Sequence, residues 1–435
     1  MNPAPTQASG PAAPRRLPQV PRAAPPPFVL PGEHFAAALV WLGVAAVMLP
    51  SVAPRLARGS LFEPAVFALL HVLVLGVVTS AIFGALSQFV PGGLEVPLKS
   101  VRLGHWGFGF LQAGVLALVI GFLRWQGALQ AVGWILFFGA VGAASINFLP
   151  ARRRSPHGKL VGLYLTTAHS ALGAGMFIAA ARIGVTLGWW QLDRLGLLAA
   201  HLHFGAVGFG TLTAFGVGSR MLPTFLLSRR DDTRRLEWLL GLAIPGLVLI
   251  GVGALGGGRL ATLAGAAFLL ASSAVMLTLL WGWFGGRNRP LDAALWHVAA
   301  AGVGLVASVG WGVAALVAGP GGLRVWAGYV VSLVVGWLVL LVTGVVAKIL
   351  SHLSYIHLFR VMPGFAAIGN PNRLLRSDLG LVSCALLAAG GLGLPAAIAG
   401  GWPTAAIVLA WLWSLGVAGT LANYAQAIAR GLRSA

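Results

Sequence analysis

The sequence predicts an all-α polytopic membrane protein with about twelve transmembrane helices in three pseudo-repeated four-helix blocks. Of its 435 residues, 58% are hydrophobic and only 9% are charged, a balance that excludes a soluble globular fold of this length. Apolar stretches of roughly 20 residues, the length that crosses a bilayer, recur along the chain. A set of residues also recurs at a fixed spacing, and this spacing sets the size of the structural unit.

The apolar stretches place the helices in order along the chain. They predict spans at 34–53, 63–89, 105–123, 129–149, 160–181, 196–222, 237–255, 259–284, 293–318, 325–350, 377–399 and 403–429. Residues 1–32 are rich in Pro and Ala and have no continuous apolar run, so they predict a disordered cytoplasmic tail.

The repeat is clearest in the second helix of each block. At a spacing of 132 residues, the matching pairs are His71 and His203, Gly76 and Gly208, Thr79 and Thr211, Phe83 and Phe215, Gly84 and Gly216, Ser87 and Ser219, and Pro91 and Pro223. A weaker copy 128 residues further keeps Gly336 and Gly344, but Val331 stands at the histidine position. The spacing divides the membrane part into blocks 33–155, 156–288 and 289–435. It predicts that helices two, six and ten form the centre of one bundle.

The formal charge of +20 reflects topology and does not indicate a nucleic-acid partner. Clusters such as Arg152–Arg154 and Arg234–Arg235 fall in alternate loops, which is the bias of cytoplasmic loops toward Lys and Arg. We therefore predict a bacterial inner-membrane protein whose two termini are cytoplasmic, with the lipid bilayer as its first partner and no nucleic acid. The one cysteine, Cys384, excludes an internal disulfide and a Cys-based metal site.

Buried histidines are the strongest candidates for a site, because a polar side chain in a membrane helix is costly without a partner. His71 and His203 lie at matching depth on equivalent helices, and His201 is two residues from His203, about 200° round the helix. Imidazole suits haem iron and copper. We therefore predict that His71 and His203 face a shared space on the outer side, and that His201 points toward a second site or toward another inner helix.

Two further histidines and a set of glycines each leave two interpretations open. His169 and His297, related by the 128-residue spacing, are candidate metal ligands or hydrogen-bonded core residues. The glycines either let a flat macrocycle lie against the helices or let helices approach one another; they are Gly76, Gly84, Gly205, Gly208 and Gly216. His34 and His157 lie at a predicted helix end and in a loop, where an imidazole needs no ligand.

The segment Ala200–Phe209 contains His-x-His followed by Gly-Phe, and it continues to Gly216 and Pro223. It resembles a motif of the haem–copper oxidase subunit I superfamily, with the closest resemblance to the NnrS-type branch. The resemblance implies twelve helices in three arcs, haem, optionally copper, and a link to nitric oxide. It also implies a low-spin haem ligand at His71. The superfamily's histidines on helices seven and ten are missing, with Val331 in the latter place, so a conventional oxygen or nitric oxide reductase is not expected.

Three functions follow from these features. The first is a haem-binding, optionally copper-binding, membrane protein that acts in electron transfer or nitric oxide handling, with a redox protein or a small gas as partner. The second is a transporter or channel for a small solute or metal ion, with histidines along its path. Against it, no Asp or Glu lies centrally in any predicted helix, whereas ion-coupled transporters usually need an intramembrane carboxylate. The third is a non-catalytic partner of an oxidase.

Overall fold

A computed structural model describes residues 28–155, 158–228, 232–361 and 374–433. Twelve of its helices are long and apolar enough to cross a membrane, which confirms the predicted fold class. They are α1 Val29–Ala57, α2 Pro64–Gly93, α3 Val101–Leu123, α4 Gly127–Arg154, α5 Lys159–Thr186, α6 Arg194–Leu226, α7 Thr233–Gly256, α8 Gly258–Gly285, α9 Ala293–Ala318, α10 Leu323–Leu353, α11 Ser377–Ala399 and α12 Pro403–Ala427. Residues 1–27 of the predicted tail, and His157, lie outside the described residues.

The first helix begins earlier than predicted. The tail was expected to extend to residue 32, but α1 begins at Val29. Leu30 is fully buried, and its side chain packs on Gly104 of α3. His34, expected at a helix end where an imidazole needs no ligand, is buried, because it faces Gly84 of α2. The tertiary contacts of this turn therefore override the helix-breaking composition of the segment before it.

Polar caps fix the starts of several helices. The side chain of Ser100 accepts a hydrogen bond from the backbone N–H of Leu103 at the start of α3 (3.1 Å). Asp292 does the same for Leu295 at the start of α9 (3.0 Å). These caps satisfy N–H groups that have no partner within the helix, so the loops before α3 and α9 enter the bundle at defined points.

The second helices of the three blocks occupy the centre, as the repeat predicts. In their most apolar windows, 78% of the residues of α2, 56% of α6 and 83% of α10 are buried, whereas every other span has 50% or less. The three helices also contact one another. Around them, α4 contacts α5, α8 contacts α9, and α12 contacts α1, so the outer helices form a closed ring. One of the closing contacts is a hydrogen bond from the Ser414 hydroxyl to the carbonyl of Ala46 (2.7 Å).

Glycines of the central helices set the packing against the first helix of each block. A Cβ on Gly84 would lie 2.9 Å from the Cβ of His34, and one on Gly216 would lie 2.6 Å from the Cβ of Tyr164. On Gly344 it would lie 2.8 Å from the Cβ of His297. These glycines permit a helix approach that any side chain would prevent, and each of the three blocks has such a contact between its first and second helix.

The two ends of the bundle have different loops. We call the end that carries loops 58–63, 124–126 and 187–193 the distal end, and the opposite end, where α1 and α3 begin, the proximal end. Near the proximal end, Asn147 bonds both the N–H and the C=O of Ser100, at 3.0 Å each. Asn423 bonds the same two groups of Arg376, at 2.8 and 2.9 Å. In the first and third blocks, an asparagine of the fourth helix therefore fixes the loop before the third helix in the same way.

Candidate functional site

Each central helix contains a π-helical stretch at the same place in the repeat. These stretches are Val72–Thr79 in α2, His203–Thr211 in α6 and Ser332–Val339 in α10. In the first two, a threonine hydroxyl bonds the carbonyl five residues earlier: Thr79 to Val74 (2.9 Å) and Thr211 to Ala206 (3.0 Å). π-helical turns are rare in proteins, and those that occur are often found at functional sites. The residues just before and within these stretches are therefore candidates for a functional site.

His71 and His201 lie opposite each other at this level, across the contact between α2 and α6. Their ring centroids are 6.1 Å apart, and the ring planes differ by 20°. The Nδ1–H of His71 donates to the carbonyl of Phe67 (2.8 Å), and the Nδ1–H of His201 donates to the carbonyl of Gly175 (2.9 Å). These bonds select the tautomer in which Nε2 carries a lone pair. Such a backbone bond to the other ring nitrogen is the usual companion of a metal-ligating histidine.

Both rings line one cavity, which we call the central cavity; its volume is about 130 Å³. Aliphatic and aromatic side chains of α2 to α6 and of α10 form most of the wall. The polar wall residues, besides the two histidines, are Thr79, Gln130, Trp134, Arg182 and Thr186. No carboxylate lines it within the described part of the chain. The site therefore combines two imidazole lone pairs with an apolar enclosure.

One glycine of the predicted set belongs to this cavity and the others to helix packing. A Cβ built on Gly205 meets nothing within 4 Å, and Gly205 lies in the cavity wall. By contrast, a Cβ on Gly208 would meet the Cβ of Ala171 at 2.6 Å, and one on Gly76 would meet the side chain of Trp41. Gly84 and Gly216 contact first helices, as described above. Helix packing is therefore confirmed for four of the five glycines, and Gly205 alone leaves open space in the cavity wall.

The prediction that His71 shares its space with His203 is wrong. The Nδ1–H of His203 donates to the carbonyl of Ala199 (2.7 Å), and its Nε2 accepts a hydrogen bond from the Tyr329 hydroxyl of α10 (3.1 Å). Its ring centroid is 5.8 Å from that of Tyr329. Both ring nitrogens of His203 are therefore engaged. His201 instead faces His71 of α2, which agrees with the alternative that it points toward another inner helix.

Rotational symmetry explains this exchange of partners. Tyr329 is the repeat equivalent of His201, 128 residues later. The pair His71–His201 between α2 and α6 therefore corresponds to the pair His203–Tyr329 between α6 and α10. In a cyclic arrangement each unit uses one face against the next unit and a different face against the previous one. Equivalent residues such as His71 and His203 consequently point into different contacts.

His169 and His297 are not brought together into a metal site. Each donates its Nδ1–H to the carbonyl four residues earlier, Leu165 and Ala293 respectively (2.8 Å each). Each has a buried Nε2 without a hydrogen-bond partner in the described part of the chain. Within the described ranges, no group of three or more His, Cys, Asp or Glu side chains is arranged to hold a metal ion.

The expected equivalence of His169 and His297 is also wrong. His297 packs on Gly344, and the equivalent glycine of the second block, Gly216, packs on Tyr164. The structural equivalent of His297 is therefore Tyr164. The reason is that the chain between the first and the second helix is longer in block two than in block three. Tyr164 and His297 of the first helices are therefore 133 residues apart, whereas Gly216 and Gly344 of the second helices are 128 residues apart.

Arg182 is the charged residue of the site, and the sequence pattern did not identify it. The predicted fifth helix ends at residue 181, but α5 continues to Thr186 and carries Arg182 into the cavity wall. Its guanidinium carbon lies 4.7 Å from the centroid of the Phe67 ring, within the range of a cation–π contact. Its Nη1 is buried and has no hydrogen-bond partner among the described residues. The sequence feature that could have identified it is its position, since Arg182 directly follows the apolar run of the predicted fifth helix.

Comparison with known proteins adds no family. No protein family model matches this chain, and no curated protein sequence matches it.

Proposed function

We propose that this membrane protein binds a haem between α2 and α6, with His71 and His201 as axial ligands to the iron. The observation that supports this most is the ring pair itself, 6.1 Å apart at 20°, with each Nδ1 held by a backbone carbonyl. Imidazole nitrogens lie about 2 Å from a bound transition metal, so two opposed rings on one metal have centroids roughly 6 Å apart. The observed spacing fits two such ligands.

The number of ligands favours haem over a bare metal ion. The site offers two imidazoles and, in the described part of the chain, no third His, Cys, Asp or Glu. A copper ion on its own usually needs more ligands than two imidazoles. The porphyrin would supply four nitrogen ligands, so two histidines would complete the coordination of the iron. Copper at the same pair remains the second form of the proposal.

The cavity wall suits a flat apolar group. Gly205 leaves open space beside the rings, and Phe122 lies with its centroid 4.5 Å from that of His71. The central cavity is close in size to the roughly 150 Å³ that holds a benzene ring, so a porphyrin also needs adjoining space. A second cavity of about 150 Å³ shares Phe67, Arg182 and Thr186 as wall residues. Movement of Phe67 and Arg182 would join the two cavities.

The chemistry of the proposal is electron transfer. With His71 and His201 both bound to its iron, a haem would supply one-electron chemistry and would leave no position for a gas. In this chain, Phe67 and Gly175 hold the ligand rings through their carbonyls, and the apolar wall excludes water. Nitric oxide handling requires that one histidine leave the iron. A redox protein is the corresponding partner.

An absorption spectrum of the purified full-length protein from haem-replete cells tests the proposal. We expect a Soret band that His71→Ala and His201→Ala each abolish or convert to a spectrum of iron with one axial ligand. His203→Ala should keep the wild-type band positions, because His203 bonds Tyr329. The control is His105→Ala, a histidine whose Nδ1 is bonded to Glu33 at the proximal end (2.8 Å). Absence of a Soret band, or wild-type spectra in both ligand variants, contradicts haem binding.

We also propose that the proximal end is cytoplasmic in a bacterial inner membrane. This rests on the Lys and Arg residues of the proximal loops. A cytoplasm-active reporter fused after Arg235, which lies in the first turn of α7 at the proximal end, should be active, and the same reporter fused within loop 187–193 should be inactive. The reverse pattern contradicts this topology.

A further inference from the structure

The second cavity, which we call the distal cavity, has a different character from the central one. It lies beside the central cavity, near the distal ends of α2, α5 and α6, and has a volume of about 150 Å³. Its wall residues are Phe62, Phe67, Trp125, Arg182, Val185, Thr186, Arg194 and Leu197. Two of these eight side chains are arginines, and none is acidic.

The acidic residues at this end are already engaged. The whole chain has nine Asp and Glu residues, and two of them, Glu63 and Asp193, lie at the distal end. Glu63 is paired with Arg55 (3.2 Å). The carboxylate of Asp193 accepts hydrogen bonds from the backbone N–H groups of Leu195 and Gly196 (3.1 and 2.9 Å). Among the described residues, neither carboxylate forms a salt bridge with Arg182 or Arg194.

The guanidinium of Arg182 is incompletely satisfied where it stands. It has five N–H donors in a planar fork, its face lies on Phe67, and its buried Nη1 has no acceptor among the described residues. A buried charged group without partners is costly. Arg194, on the exposed first turn of α6, adds a second positive charge to the same cavity. An anion in the distal cavity would satisfy the Nη1 donor and reduce the repulsion between the two arginines.

We infer that the distal cavity binds a small anionic group, a carboxylate or an oxyanion, with Arg182 as the main contact and Arg194 as a second one. The planar fork of Arg182 matches the two oxygens of such a group. The anion has two possible sources: a free solute that enters from the distal side, or a carboxylate on the periphery of a haem in the central cavity. Only the second source rests on the proposed function.

Calorimetric titration of the full-length protein in zwitterionic nanodiscs, with formate and with nitrate, tests the site. The haem-free form comes from haem-deficient cells, and the haem-loaded form from haem-replete cells. We expect saturable binding to the haem-free form. Arg182→Gln should weaken it by about tenfold or more, as expected for a hydrogen bond to a charged group. Arg194→Gln should weaken it by about threefold, as expected for an exposed charge. The matched control is Arg124→Gln, an exposed arginine of the same end that lines neither cavity.

The two forms distinguish the sources. Binding to both forms identifies a free anion, and binding to the haem-free form alone identifies the haem carboxylate as the occupant. If Arg182→Gln does not fold, Arg194→Gln and Arg182→Lys test the same site, and the lysine variant should bind less well than wild type because it lacks the fork. Absence of saturable binding to the haem-free form overturns the inference. So does binding that is equal in wild type, Arg182→Gln and Arg194→Gln. A missing Soret band leaves the haem-free titration unaffected, so the two proposals fail separately.

Discussion

Filling the central cavity from Gly205 is the sharpest test of the proposed haem position. We consider Gly205→Leu. A Cβ at this position meets nothing within 4 Å, and Gly205 lies in the cavity wall, so a longer side chain has open space to enter and should avoid most of the overpacking cost of about 1–3 kcal/mol that applies to filled cores. Loss of a helical glycine contributes a gain of up to about 1 kcal/mol. The free energy of unfolding should therefore stay the same or rise slightly, while the leucine side chain occupies a cavity of about 130 Å³.

The measurement is the haem-to-protein ratio of the purified variant, together with its thermal unfolding temperature. We expect the ratio to fall by at least about tenfold, because the leucine would occupy space that the macrocycle needs. A tenfold fall corresponds to about 1.4 kcal/mol, which lies within the overpacking cost of about 1–3 kcal/mol for holding both groups. Gly218→Leu is the matched control: it lies on the same helix, also meets nothing within 4 Å, and lines neither cavity. Full haem content in a stable Gly205→Leu protein refutes the placement between α2 and α6.

Two further predictions concern the packing that holds the site. Gly216→Ala should lower the free energy of unfolding by about 1–3 kcal/mol, because the new Cβ would lie 2.6 Å from that of Tyr164; Gly218→Ala, with no neighbour, should not lower it, and equal stabilities would contradict the close approach. Tyr329→Phe should lower the free energy of unfolding by about 1 kcal/mol, since it removes the donor to the partly buried Nε2 of His203. Chemical denaturation measures both. A Soret band that shifts in Tyr329→Phe as much as in a ligand variant would contradict the separation of the two histidine pairs.

The sequence predicts the fold well because hydrophobic length is a strong signal in membranes. All twelve spans are present, and the glycines that recur at a fixed spacing do mark the central helices. Boundaries are less accurate, as at Val29 and at Arg182, where tertiary packing extends a helix beyond its apolar run. The π-helical stretches leave no mark in composition, because an i→i+5 bond suits the same residues as an i→i+4 bond.

The site is predicted only in part. His71 and His201 are both recognisable as buried histidines, but their pairing is not. Sequence spacing gives the direction of a side chain on its own helix, whereas the partner depends on which neighbouring helix that direction meets. Equivalent residues can share a space at a two-fold contact, where both units use the same surface. They cannot do so in a cyclic head-to-tail arrangement of three units, where each contact joins two different surfaces. The fact that Tyr329 occupies the position of His201 was readable from the 128-residue spacing.

The head-to-tail order of α2, α6 and α10 has a consequence for how such a protein can change. In a trimer of identical subunits, every substitution appears in all three contacts at once. When the three units are joined in one chain, the corresponding positions diverge separately. One contact has two histidines, the next has a histidine and a tyrosine, and the equivalent positions of the third hold Val331 and Leu69. One contact is then free to acquire a cofactor while another is fixed by a hydrogen bond. Because the repeats are fused in one chain, residues of a binding site at one contact can change without altering the residues that stabilise the other contacts of the central helices.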